Sequence, residues 1–335
     1  MQINIEHLYQ FVKNLKMSKS SDKRQNLFEK FSFQLHEVIN AGLYDVDLPH
    51  EKTFICPICL LPFSEKDLNV EVSNHLTLED APPISLGGTA NTLTCKKCNN
   101  ESGHEIDFHL LEFVNNGEIR SFQSGTTAKI TVEHQGINVQ GLLEIDEFGT
   151  ITITHLKKNN NPEQLKSYIE QTPKGSTPVL SFKASRIDAK RFEVALLKTA
   201  YILAFAKYGY PLILSPVFDV VREQILNPDR DIYPSGFWTK QIVFTEKNVG
   251  VHLLKSAEME GFMAIFMLSS KNGKKEGWGV YLPISNTKFK QAIENFKKVE
   301  AGDTLLFDSF QNTDYFKDNR NHKLCVDFIK MKNSI

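Results

Sequence analysis

The spacing of apolar positions changes along the chain, and the changes divide it. From Ile5 to Leu15 and again from Lys23 to Ala41 the pattern is helical, with Leu27, Phe31, Leu35 and Val38 recurring three or four apart in the second segment. Ser20-Ser21-Asp22 supplies cap chemistry between them, so two helices are predicted. Further on the spacing becomes alternating. Ala128–Glu133, Ile137–Ile145 and Thr150–Thr154 read as a meander, punctuated by Gln135-Gly136 and Phe148-Gly149. A polar, Asn-rich loop at 157–162 reads as a hinge, followed by a helix over Pro162–Gln171 and a strand near Pro178–Lys183.

The second half mixes the two periods. Ser185–Tyr208 is its strongest helix, with Phe192, Ala195, Leu196, Ile202, Leu203 and Ala206 along one side and little polar surface elsewhere, which predicts a central position. A helix over Val217–Leu226 is ended by Asn227-Pro228. Gln241–Ile284 turns β-rich, with a hairpin turn at Lys271-Asn272-Gly273-Lys274. A helix over Asn286–Val299 and closing strands at Thr304–Phe307 and Lys323–Phe328 complete an α+β chain. Three regions are expected: a helical N-terminal arm (1–50), a central module (51–115) and an α+β domain (116–335).

Composition narrows the classes. Of 335 residues 41% are hydrophobic and 24% charged, enough apolar material for a sizeable core. A formal net charge of −1 excludes a globally basic nucleic-acid coat but leaves room for a local basic groove, such as Lys13, Lys16, Lys19, Lys23, Arg24 and Lys30 on the arm. The most apolar stretch, Val194–Leu214, is broken by Lys198 and Lys207, so it reads as a buried helix rather than a membrane span. No basic start leads into an apolar run at Met1–Glu6, and a cytoplasmic location is the expectation.

Four of the five cysteines form two tight pairs, Cys56-x-x-Cys59 and Cys95-x-x-Cys98. Without a secretory context such pairs favour metal over disulfides. Four thiolates on two knuckles suit a closed tetrahedral structural zinc site, which folds a module and offers no open position for catalysis. Reduced thiol pairs and an iron–sulfur centre are the competing readings. Cys325, in Leu324-Cys325-Val326, reads as a buried small hydrophobe.

Between the knuckles lie Glu79-Asp80-Ala81-Pro82-Pro83, the Gly87-Gly88 loop and Asn91, and Asn99 follows Cys98 directly. Together with Leu93-Thr94-Cys95-Lys96-Lys97-Cys98-Asn99 and Gly103 this stretch resembles the HNH endonuclease family, in its zinc-ribbon branch, over roughly residues 52–112. The resemblance implies a ββα-metal finger around one divalent cation, and cleavage of phosphodiester bonds in nucleic acid, DNA in the first instance. It matches Glu79 and Asn99 to positions that hold the cation (Mg²⁺ or a similar ion) and gives Asn91 a role in orienting the loop and the base. Asp80 is a further candidate ligand, and because adjacent strand residues point to opposite faces, Glu79 and Asp80 are read as one ligand and one water-orienting group. Asp80 stands where the family usually has the histidine that activates water. An aspartate is intrinsically a much weaker base, so the departure falls on the proton-transfer step. His104 is the candidate replacement base, one position beyond the usual spacing of the last ligand, and Lys96 and Lys97 are the candidate phosphate contacts.

The expectation is therefore a metal-dependent endonuclease with a C-terminal domain for recognition or regulation, through a protein partner or self-association. By analogy, it would suit defence or a mobile element. Two alternatives stand beside it: a degenerate finger that binds nucleic acid without cutting, and a zinc-stapled interaction protein.

Overall fold

The computed structural model describes residues 5–182, 187–254, 258–299, 307–308, 314–316 and 318–333, and side chains from residue 19 onward within the first helix. The chain opens on one continuous helix, α1 (Ile5–Asn40). The expected break at Ser20-Ser21-Asp22 is absent. All three residues face solvent, where their polar groups do not compete with the helix's own hydrogen bonds, so the helix runs through them. Its second half is part of the core: Phe28, Phe31 and Leu35 are buried in the main hydrophobic cluster.

Two short strands, β1 (Phe54–Ile55) and β2 (Pro62–Phe63), pair antiparallel around the first knuckle. The hairpin β3 (Leu76–Asp80) and β4 (Ala90–Cys95) leads straight into α2 (Lys96–Ser102). A π-turn at Gly103–Asp107 joins α2 to α3 (Phe108–Arg120).

The meander follows as β5 (Thr127–His134), β6 (Ile137–Ile145) and β7 (Ile151–Thr154), then α4 (Pro162–Gln171) and β8 (Val179–Phe182). Gln135 and Gly136 both take positive φ, which closes the β5–β6 hairpin with the twist antiparallel strands prefer. The four strands form one sheet in the order β7-β6-β5-β8, with a core of its own built from Ile130, Val132, Val139, Leu143, Leu165 and Tyr168.

The second half is organised on α5 (Ala189–Tyr208), which starts later than the pattern suggested because Asp188 caps it, accepting from the backbone N–H groups of Lys190 and Arg191. Then come α6 (Tyr210–Ile213), α7 (Asp219–Leu226), β9 (Trp238–Lys240), β10 (Gly250–Leu254), β11 (Gly261–Ser269), β12 (Lys275–Leu282), α8 (Phe289–Phe296), β13 (Phe307–Asp308) and α9 (Asn319–Asn333). The five strands make a sheet ordered β13-β10-β11-β12-β9. Residues 304–306 of the expected closing strand lie outside the described residues. Lys323–Phe328 is helical, not a strand. His322, Cys325, Val326 and Ile329 are buried at helical spacing while Leu324 is 61% exposed, so the apolar run was the buried stripe of a helix.

One core spans the regions that the sequence divides at 50/51 and 115/116. Phe31 stacks on Phe205 with ring centroids 4.5 Å apart, and Phe113 of α3 on Phe192 of α5 at 4.2 Å. Gln34 bridges by donating to the carbonyls of Tyr208 and Tyr315 and accepting from the Tyr210 N–H. Gly209 is required beside it: its φ is +69°, and a Cβ there would sit 1.8 Å from the Gln34 Oε1. Among the described residues no helix is long and apolar enough to cross a membrane.

Candidate metal centre and strand tip

The four knuckle cysteines converge. Their sulfurs all lie within 4.8 Å of one another, and Cys59 Sγ is 3.8 Å from Cys95 Sγ. A tetrahedral thiolate site with metal–sulfur bonds of about 2.3 Å has edges of about 3.8 Å, so the donor set fits such an ion. The backbone is arranged for thiolates: the Cys95 N–H points at Cys56 Sγ and the Cys98 N–H at Cys95 Sγ, each at 3.5 Å. Leu60, at φ 57°, turns the first knuckle back so that its N–H reaches the Cys56 carbonyl. Burial, reinforced by neighbouring thiols, pushes Cys56 well above its ordinary pKa, while hydrogen bonds from the other sulfurs push Cys95 far down. A bound cation would let all four ionise together.

The knuckle is anchored from outside the module. Tyr201 on α5 donates to the Pro57 carbonyl at 2.6 Å. The Tyr210 hydroxyl donates to the Ile55 carbonyl and accepts from the Ile55 N–H, both at 2.9 Å.

The β3–β4 hairpin sets the strand tip. Thr92 opposes Glu79 and Ala90 opposes Asp80, which leaves Asn91 as the extra residue of a bulge. Asn91 donates to the Ala81 carbonyl at 2.6 Å and accepts from Thr89 Oγ1, tying the two ends of the intervening loop. Gly88 lets that loop close, because a Cβ there would lie 1.6 Å from the Pro82 carbonyl oxygen. Asn99 reaches back from α2, donating to Thr77 Oγ1 at 3.0 Å and to the Leu78 carbonyl at 2.9 Å.

Glu79 is where the structure departs from the cation assignment. Its carboxylate is buried, with Oε2 accepting from Thr94 Oγ1 at 2.8 Å and Oε1 2.7 Å from the ammonium of Lys198. The same ammonium is 2.7 Å from Asp107 Oδ2. The Lys198 and Glu79 side chains are each 3% exposed, and Asp107 17%. Burial works against the charge on Lys198, but the two carboxylates outweigh it and hold its pKa above the ordinary lysine value. The π-turn brings Asp107 into this trio. The extra residue it contains re-phases the helix, and His104 falls on the exposed surface.

The proposed cation ligands therefore do not fit a hydrolytic divalent ion. Glu79 is taken by an ammonium, Asn99 by strand β3, and among the described residues the cysteines alone form a His/Cys/Asp/Glu group with metal geometry. Asp80, half-buried, has its pKa raised by burial and by Glu79, with Lys23 and Lys198 pulling the other way. His75 is buried and bonded through Nδ1 to the Val72 carbonyl, and His109 accepts from the Asp188 N–H. Lys97 is exposed beside Glu101, and Lys96 is half-buried at the start of α2.

Sequence reasoning missed Lys198 and the part played by Asp107. A signal existed for the first: a lysine inside a helix that is apolar nearly all round must find a buried partner. The trio carries one net negative charge, and Asp107 Oδ1 lacks a hydrogen-bond partner. Burial, aided by Glu79, raises the Asp107 pKa despite Lys198. A carboxyl raised in the folded state contributes stability that is present below its unfolded pKa and lost as pH rises through the folded one. Asp107→Asn should therefore match wild type near pH 4 and exceed it near pH 7 by on the order of 1 kcal/mol. Urea midpoints of both proteins at the two pH values check this, and a less stable variant at the higher pH contradicts it.

Comparison of the chain with protein-family models, curated proteins and solved structures gives no match.

Proposed function

We propose that the β3–β4–α2 unit is a zinc-stapled finger of the nuclease type that binds nucleic acid, DNA in the first instance, without hydrolysing it by a one-metal route. The observation that carries the reading is a set of exposed lysines at both ends of the β3–β4 hairpin. Lys23 on α1 lies close enough to Asp80 to oppose the rise in its pKa, and Lys97 is exposed on the first turn of α2, at the Asn74 end of the hairpin. Lys19 adds a further exposed ammonium on α1. Such groups meet phosphates without reading bases. Zinc is the ion proposed for the cysteine site, because an all-sulfur tetrahedral donor set suits it.

The test is anisotropy of labelled duplex DNA, single-stranded DNA and RNA with the zinc-loaded chain at two salt concentrations. Lys23→Glu/Lys97→Glu should weaken binding several-fold and flatten the salt dependence by about one to two phosphate contacts. Absence of binding at low salt overturns the proposal and favours a zinc-stapled interaction protein. A second reading, hydrolysis, is favoured by one observation: the raised pKa of Asp80 moves it toward a usable base. Plasmid cutting with Mg²⁺ or Mn²⁺ that is lost in Asp80→Ala would establish that reading instead.

A further inference from the structure

In a ββα finger of the hydrolytic kind the acidic strand residue is free to meet a divalent cation. Here that residue meets a side chain from another part of the chain. Lys198 projects from α5, outside the finger, and its ammonium makes two 2.7 Å contacts, one to Glu79 and one to Asp107. Thr94 holds the second oxygen of Glu79. A magnesium ion needs an oxygen at about 2.0–2.1 Å, and an ammonium already on that oxygen repels it and competes for the same lone pairs. The ammonium therefore occupies both the charge and the space that the ion would need.

We propose that Lys198 is a built-in cation for this finger: it neutralises Glu79 and draws Asp107 to the same point, so the finger takes metal at its cysteines and none at its strand tip. The inference deepens the reading of the unit as a nuclease-type finger, and it explains how such a finger keeps its shape without a second ion. Three observations converge on it independently of the zinc site. The lysine is buried in a helix that otherwise presents apolar side chains there. Asp107, at the end of the π-turn, meets the ammonium at 2.7 Å, while His104 in the same turn is exposed. Asn99 is spent on the β3 backbone and on Thr77.

The experiment titrates the zinc-loaded full chain with Mn²⁺, following free Mn²⁺ by electron paramagnetic resonance and heat by calorimetry. Wild type and Glu79→Gln should behave alike, with no saturable site up to millimolar Mn²⁺. Lys198→Ala should gain one site per chain, at least about tenfold tighter than any wild-type binding. Lys198→Ala/Glu79→Gln should lose it again. A wild-type site abolished by Glu79→Gln overturns the proposal, as does a folded Lys198→Ala that gains none. Where Lys198→Ala fails to fold, the wild-type and Glu79→Gln comparison decides: identical curves support the proposal and a Glu79-dependent site ends it. Because the readout is Mn²⁺, failure here is separate from failure to bind nucleic acid.

Discussion

Lys198→Met should destabilise the folded chain by about 3–5 kcal/mol, the range in which removal of one member of a buried ion pair falls. The methionine keeps most of the volume, so the loss is one of charge. It strands Glu79 and Asp107, both held away from water and close enough to share one ammonium. The triple variant Lys198→Met/Glu79→Gln/Asp107→Asn should recover most of that loss, since no charge is then left buried without a partner. Urea unfolding of wild type, single and triple variants is the measurement. A single variant within about 1 kcal/mol of wild type would show that water reaches these carboxylates and that the trio is not a buried unit.

The second large effect is expected at the cysteines. Cys95 is at once a sulfur of the tetrad, the last residue of β4 and the N-cap of α2, where it accepts from the Cys98 N–H. Cys95→Ser should drop zinc from about one per chain to near zero, at a cost of about 5 kcal/mol or more, comparable to the whole stability of an ordinary domain. The damage should spread. Tyr201 and Tyr210 hold the first knuckle through Pro57 and Ile55, so a collapsing knuckle leaves the buried Tyr210 hydroxyl without a partner and the Tyr201 hydroxyl without an acceptor, keeping only its contact from Arg222. Metal content by atomic absorption and hydrogen exchange at residues 201–210 report the two stages. A zinc-free variant with wild-type unfolding and exchange would refute both the metal's role and its coupling to the core.

The readable parts of this fold were those with short-range signals. The knuckles declared themselves by cysteine spacing, the β5–β6 and β11–β12 hairpins by glycine turns, and α5 by its apolar surface. Errors arose where a local signal was overruled by context. Ser20-Ser21-Asp22 reads as a cap only if the helix ends there, and the continuous α1 costs those exposed residues little. The buried stripe of α9 reads as a strand because Leu324-Cys325-Val326 is too short to show its period. At the strand tip the limit was of another kind. Glu79 is acidic in either role, and which cation it meets depends on Lys198, far away in sequence and brought near only by packing. The π-turn that re-phases Asp107 and His104 leaves no trace in composition or spacing.

The small sheet β7-β6-β5-β8 has a consequence for how this chain could have been assembled and could be re-engineered. It carries its own core, and Phe122 before β5 meets Phe182 at the end of β8, ring centroids 6.1 Å apart. The helices on either side, α3 and α5, already pack against each other through Phe113 and Phe192. The lobe is thus a cassette spliced between two neighbouring helices, with its two splice points side by side. Closing such a gap with a short linker costs little chain entropy. The lobe meets the scaffold mainly at this junction, through Ile119 of α3 and the Asn272–Thr126 contact, so changes on its outer face should leave the scaffold that holds the finger in place.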